Sequence, residues 1–396
     1  MRGERAQHNW RMMTGGRLSI LAYGFAALLG TACGGDESSY YYPPRGGWEM
    51  RAPAELGMNA VLVERAVEYA KAHDSEVVPY DYSGHEETFG KLEGPLPDER
   101  GGPAGMIVRH GYIVAEWGDT QRADLAFSVT KSFVSTMAGL AFDRGMIEST
   151  QDPVGKYVTD GKFESPHNAK ITWEILFQQT SEWEGELFGK SDTADFYHRR
   201  GRTLDRQAPG TYYEYNDVRV NLASYSLLRV WKESLPKLLK ELVMDPISAS
   251  DGWTWHGYRT SDVAIDGRIV NSVSGGGHWG GGIWISARDL ARFGYLFLRD
   301  GTWDGQEIVS SEWIDLATTP SELRRDYGYM WWLTPDDAAD PGEPAATFAA
   351  RGYGSNIVWI DTRHDLVAVL RWFGGDADEF FGPLVDSVRS EESATN

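Results

Sequence analysis

The run Phe127-Ser128-Val129-Thr130-Lys131-Ser132-Phe133-Val134 constrains this chain more than any other segment. It places a Ser-x-x-Lys tetrapeptide at the first turn of an apolar-periodic helix. Residues three apart share a helix face, so the Lys131 amine is within reach of the Ser128 hydroxyl. A serine is a weak nucleophile until a neighbouring base takes its proton, and a desolvated lysine can be that base. The helix start adds unpaired N–H groups and a positive dipole end, where an oxyanion is stabilised. The pattern points to acyl transfer. The tetrapeptide alone does not decide it: Ser234-Leu235-Pro236-Lys237 has the same form, and there the Pro and surrounding charges mark a surface helix start.

The N-terminus reads as a targeting segment. Arg2, Arg5, Arg11 and Arg17 precede the apolar run Leu18 to Leu29, which is too short for a mature membrane span and fits a signal-peptide core. It leads into Leu28-Leu29-Gly30-Thr31-Ala32-Cys33, which resembles the lipobox of bacterial lipoproteins. Gly30 stands where that pattern has Leu. Cys33, the only cysteine of the chain, is thus the expected lipidation site, with cleavage by ordinary signal peptidase as the alternative. The expected organisation is a lipoprotein signal peptide over 1–32, a lipidated Cys33 with a flexible tether over 33–49, and a folded domain over 50–390. Export, with attachment to a bacterial membrane, follows. The formal charge of −20 argues against nucleic acid as a partner.

Periodicity predicts a helix from Asn59 to His73, then strands Met106–Val108 and Tyr112–Trp117 joined through Arg109-His110-Gly111. The Ser128 helix follows, with Phe133, Met137, Leu140 and Ala141 facing inward. The chain is then mostly helical with long loops to about Met244. Short strands and glycine-rich turns begin at Trp255, and Asp289–Asp300 is helical. Ser355–Ile360 and Asp365–Trp372 read as strands, and Phe380–Arg389 as a closing helix. This order predicts an α+β fold: an antiparallel sheet flanked by terminal helices, built from about 50–120 and 250–390, with an inserted all-α subdomain over about 121–249. A site belongs in the cleft between the two parts.

Two further motifs follow Ser128-Val129-Thr130-Lys131 in order: Pro209-Gly210-Thr211-Tyr212-Tyr213-Glu214-Tyr215-Asn216-Asp217, and Gly352-Tyr353-Gly354-Ser355. With Ile171–Leu176, Gln179-Thr180-Ser181 and Ile285–Gly294 they resemble the serine β-lactamase and penicillin-binding-protein superfamily. The class C β-lactamase-related serine hydrolases are the most similar branch, and the likeness runs from about Met50 to Val388. It implies a β-lactamase/transpeptidase-like fold with Ser128, Lys131 and Tyr215 as catalytic residues. It also implies an oxyanion hole from the Ser128 and Ser355 backbone N–H groups. Either Lys131, with its pKa lowered by burial, or Tyr215 can be the base. Substrate-binding positions are Asp217, Gly352, Tyr353, Gly354, His278 and Trp183. The Tyr329-Met330-Trp331-Trp332 run is assigned to the core. No metal or organic cofactor is implied.

Two departures shape the functional expectation. Asp217 stands where the family has Asn; a carboxylate cannot donate a hydrogen bond, and if ionised it favours a protonated Lys131. Gly352 stands where true β-lactamases carry the lysine that grips the substrate carboxylate. The expected activity is therefore hydrolysis of a small-molecule ester or amide through a Ser128 acyl-enzyme rather than dedicated β-lactamase action. A non-catalytic envelope protein, using the same fold for binding or assembly, is the alternative.

Overall fold

Asn59 shows how local chemistry starts this fold. Its side chain accepts hydrogen bonds from the Val61 and Leu62 N–H groups at 3.1 and 3.3 Å, and helix α1 runs from there over Ala60–Ala72. The structure, a computed structural model, describes residues 40–76, 91–195, 205–334 and 342–395. The expected signal peptide and Cys33 lie outside the described residues.

The main sheet has six antiparallel strands. They are β1 (Ala104–Arg109), β2 (Tyr112–Trp117), β7 (Trp332–Thr334), β8 (Thr347–Gly352), β9 (Asn356–Asp361) and β10 (Leu366–Arg371), in the order β7-β8-β9-β10-β1-β2. Period-2 alternation splits it cleanly. Ile107, Val114, Ile357, Trp359, Ala368 and Leu370 face α1 and the C-terminal helix α5 (Ala377–Thr395). Met106, Val108, Ala350, Val358, Ile360, Val367 and Val369 face the larger core, against α4 (Ala287–Leu298) and the Ser128 helix α2 (Thr130–Asp143). A second sheet of four strands, in the order β3-β6-β4-β5, joins β3 (Asp124–Leu125), β4 (Thr254–Ile265), β5 (Arg268–Val273) and β6 (Gly282–Ile285). This β-lactamase/transpeptidase-like arrangement is the expected α+β fold.

The inserted block is less helical than expected. Besides α2, α3 (Asp217–Trp231) and short helical segments at Trp173–Phe177, Leu235–Leu239 and Lys240–Met244, it holds long loops and a small ribbon pairing Glu186–Leu187 with Lys190–Ser191. The flexible tether expected up to residue 49 also needs correction. Tyr41 stacks on Tyr112 with ring centroids 4.5 Å apart, and Tyr42 packs on Tyr295 and Trp303. The Arg292 guanidinium donates to the carbonyls of Pro43, Pro44 and Gly47. Aromatic rings that composition suggested for a linker find apolar partners here, so the chain is fixed from Tyr40 onward.

Candidate active site

The nucleophile candidate sits at a backbone irregularity. Phe127, just before it, has φ 49°, a left-handed conformation that costs a bulky residue roughly 1–3 kcal/mol. A tight turn over Phe127–Val129 then feeds α2. Ser128 is half-buried while Phe127 and Val129 on either side are buried, so this turn presents the hydroxyl to the cleft. One helical turn on, Lys131 donates to Ser128 Oγ at 2.7 Å, as the three-residue spacing requires.

The second motif arrives from the start of α3. Asn216 is its N-cap: its side-chain oxygen accepts from Arg219 N–H at 3.1 Å, and its amide donates to Asp192 O at 2.8 Å. Its own N–H donates to Gln179 Oε1 at 3.1 Å. Capping fixes the residues on either side. Tyr215 is thereby brought beside both Ser128 and Lys131, and the ammonium lies 4.7 Å from its ring centroid. Asp217, in the first helical turn where the dipole favours an anion, forms an ion pair with Lys131 Nζ at 2.6 Å.

That ion pair decides between the two charge states open to Lys131. Burial alone pushes the Lys131 ammonium down, but Asp217 and Tyr215 outweigh it and hold the group above the ordinary lysine range. Burial likewise raises the Asp217 carboxyl, yet Lys131 and His278 bring it below the ordinary value. Tyr215 is raised by burial and by the Asp217 charge, against the opposing pull of Lys131. The resting cluster is therefore ammonium, carboxylate and neutral phenol.

His278 joins the site from a glycine-rich loop, with Nδ1 3.5 Å from Asp195 Oδ1 and 3.9 Å from Asp217 Oδ2. Asp195 was not foreseen. Its Oδ2 accepts from the Asp217 N–H at 2.7 Å, and burial followed by the Asp217 charge raises its carboxyl well above the ordinary range. Asp195, Asp217 and His278 bring one polar atom each within 4.8 Å of one another, and of the three it is Asp217 that meets the Lys131 ammonium. Gly276 was also missed. A methyl group there would lie 2.6 Å from Lys131 Nζ and 2.7 Å from Asp217 Oδ2, so only glycine lets the backbone roof this pair.

The third motif has a different register from the expected one. Ser355 is exposed, at φ 52°, in the turn between β8 and β9. The residue against the nucleophile is Gly352: a methyl group on it would lie 2.2 Å from Ala126 O and 3.1 Å from Ser128 N. No side chain fits there, so Gly352 is not a vacated lysine position. Ala350, which shares its face, is buried, and Arg351 lies on the opposite face of β8. Gly354 packs under Trp372 rather than at the cleft, whereas Tyr353 is 60% exposed with its ring 5.3 Å from that of Phe127.

Trp183 is corrected as well. It is 1% exposed and donates from Nε1 to Lys162 O at 2.9 Å, so it belongs to the core. Tyr329, Met330 and Trp331 are core as expected, but Trp332 is half-buried with its ring 5.7 Å from that of Tyr215.

Comparison with known proteins agrees with this geometry. The beta-lactamase family model matches residues 92–375. A 6-aminohexanoate-dimer hydrolase of Paenarthrobacter ureafaciens is 24% identical over 288 residues, 67% of this chain and 70% of that protein. A putative beta-lactamase from Bacteroides dorei superposes with a TM-score of 0.54 at 16% identity, covering 80% of this chain and 99% of that one. A family VIII carboxylesterase gives 0.53 at 16% identity, covering 85% and 99%. With the match spanning most of its length and Ser128, Lys131 and Tyr215 gathered at one cleft, the chain belongs to the beta-lactamase family and is a serine hydrolase.

Proposed function

We propose that this serine hydrolase cleaves an ester or small linear amide through an acyl-enzyme on Ser128. The observation that carries the reading is the 2.7 Å contact between Lys131 Nζ and Ser128 Oγ, closed by Tyr215. Once the Lys131–Tyr215 pair has released one proton to solvent, Ser128 Oγ attacks the carbonyl carbon, its proton passes to that pair, and the carbonyl oxygen becomes an oxyanion. The leaving alcohol or amine takes a proton back as its bond to carbon breaks. Water then releases the acid by the same steps in reverse. The Ser128 N–H and the peptide N–H that follows Gly352 are the proposed oxyanion donors, because Gly352 lies beside the Ser128 amide.

The 6-aminohexanoate-dimer hydrolase among the relatives supports an ester or linear amide substrate. So does β8, which offers Ala350 and Gly352, not a cation, toward the nucleophile. We also propose export and lipidation at Cys33, on the basis of the charged leader and short apolar run. The chain is fixed from Tyr40, which leaves only 34–39 between anchor and fold.

The test is labelling with a fluorophosphonate probe followed by peptide mapping. An adduct on Ser128, absent in Ser128→Ala, supports the reading. Folded protein that forms no adduct returns the non-catalytic alternative.

A further inference from the structure

The family's second motif ends in an amide; this chain ends it in a carboxylate, and the structure shows where that charge goes. Asp217 Oδ1 is 2.6 Å from Lys131 Nζ, and both residues are almost inaccessible, at 4% and 1% exposure. The pair is roofed by Gly276 with no room for a methyl group. Asp217 is held from behind as well: its N–H donates to Asp195, and His278 stands 3.9 Å from its second oxygen. A carboxylate placed in this way does not contact the reacting hydroxyl. It acts on Ser128 only through Lys131 and Tyr215.

We infer that Asp217 is a positioning residue that fixes Lys131 as an ammonium and thereby moves activation of Ser128 into the alkaline range. The inference rests on the acyl-enzyme reading above. Both groups able to receive the Ser128 proton, Lys131 and Tyr215, must first lose one of their own. A negative charge beside them makes that loss harder for each. The titratable and charged groups around Asp217 are Lys131 from α2, Tyr215 at the head of α3, Asp195 from the loop behind, His278 from the glycine loop, Tyr258 from β4 and Tyr327 from the segment before β7. Of these, Lys131 is the one in direct ionic contact at 2.6 Å. The 3.9 Å separation of His278 makes it the weaker partner. Asp195, with its carboxyl raised well above the ordinary range by burial and by the Asp217 charge, is the less readily ionised of the two carboxyls.

The sign is fixed by charge. Replacing Asp217 with Asn removes a negative charge, so the Lys131 ammonium and the Tyr215 phenol both ionise at lower pH. The rising limb of activity then moves toward acid whichever of them is the base. A purely structural role for Asp217 would instead lower the rate at every pH and leave the limb in place.

The experiment is the pH dependence of kcat/KM for p-nitrophenyl acetate, with the second-order rate of Ser128 labelling by a fluorophosphonate measured in parallel, for wild type and Asp217→Asn. The expected result is a wild-type limb in the alkaline range and a shift of about one pH unit or more toward acid in the variant. A wild-type limb in the neutral range overturns the inference even if the variant does not fold. So does an Asp217→Asn limb that stays where it was while Ser128 still labels. If folded wild-type protein forms no Ser128 adduct at any pH, the acyl-enzyme reading falls and this inference with it. An adduct with an unmoved limb removes only the role of Asp217.

Discussion

Two buried ion pairs flank the start of α3, and they do opposite work. Lys131–Asp217, at 2.6 Å, ends on a half-buried serine hydroxyl. Arg219–Glu182, at 3.1 Å with both side chains wholly inaccessible, ends on backbone: the second Glu182 oxygen accepts from Gln207 N–H at 2.9 Å. That second pair ties the loop after Thr180 to the loop leading into Tyr215. The chemistry of the two cations matches the difference. A lysine can give up its proton when its surroundings change, whereas an arginine stays charged at every accessible pH. The first pair is adjustable and the second is fixed. One holds a reaction centre, the other holds the loop that delivers Tyr215 to it.

The strongest way to break this contrast is to remove what the adjustable pair serves. Ser128→Ala is expected to lower turnover of a p-nitrophenyl ester on the order of 10⁴-fold or more. Both ion pairs stay intact, so thermal stability should match the wild type. Ser234→Ala, in the look-alike tetrapeptide, should be near neutral. Activity within tenfold of wild type in Ser128→Ala would take the nucleophile elsewhere and leave Lys131–Asp217 without a reactive partner.

Breaking each pair from its acidic side sharpens the comparison. Glu182→Gln leaves a charged guanidinium buried beside a neutral amide, a change that costs about 3–5 kcal/mol. Asp217→Asn should cost clearly less, because Lys131 can become a neutral amine. Urea unfolding of the two variants at neutral pH is the measurement. Equal losses would mean that both pairs are structural. Among folded Glu182→Gln molecules, counted by fluorophosphonate labelling, kcat/KM should stay close to wild type.

These differences also explain what the sequence disclosed. Ser128 and Lys131 are legible because three residues along a helix is a local relation, and Tyr215 because its cap, Asn216, is its neighbour. The alternation of β9 and β10 is legible for the same reason. Asp195 and Gly276 are not, since their roles depend on distant chain segments meeting at Asp217. The third motif failed in a more specific way. Gly352 and Gly354 are two apart, a slip that keeps every side chain on its face, so alternation could not choose between them. Contact with Ala126 and Ser128 chooses Gly352. The resting charge of Lys131 was not legible, because burial and an ionised Asp217 pull it in opposite directions and only the 2.6 Å contact decides between them. Trp183, in the core, and Tyr41 and Tyr42, packed on Tyr112, Tyr295 and Trp303, were illegible for one reason: aromatic composition does not say where a ring finds partners.

A third test uses the fact that both cations are occupied. Lys131 is paired with Asp217 and Arg219 with Glu182, and β8 adds no cation toward the nucleophile. A β-lactam carboxylate would thus lack a charge-assisted contact of about 2–3 kcal/mol, which corresponds to tens- to a hundredfold in specificity. Comparing kcat/KM for a short-chain p-nitrophenyl ester with nitrocefin under one set of conditions should show the ester ahead by at least that margin. Nitrocefin equal to or faster than the ester would show that a cation outside these pairs reaches the substrate, and His278 would be the first residue to replace.

The smallest expected effect concerns the rim, where neither pair reaches. Tyr353 leaves β8 at the turn, with its ring 60% exposed and edge-on to Phe127 at 5.3 Å. Its backbone is held independently, since its carbonyl accepts from Asn356 Nδ2 at 2.6 Å. Truncating the ring therefore removes an aromatic surface beside the nucleophile without releasing the turn. An aromatic contact of this kind contributes about 0.5–1.5 kcal/mol. Tyr353→Ala should accordingly raise KM for a p-nitrophenyl ester of phenylacetic acid a few-fold, leave kcat within about twofold, and leave p-nitrophenyl acetate little changed. Trp183→Phe provides the opposite control: it should reduce stability through the lost bond to Lys162 and leave KM for both esters alone. A large fall in kcat for Tyr353→Ala with KM unchanged would mean that the ring braces Phe127 and, through it, the Ser128 turn. Tyr353 would then belong with the groups that hold the site, beside Glu182, rather than with those that meet the substrate.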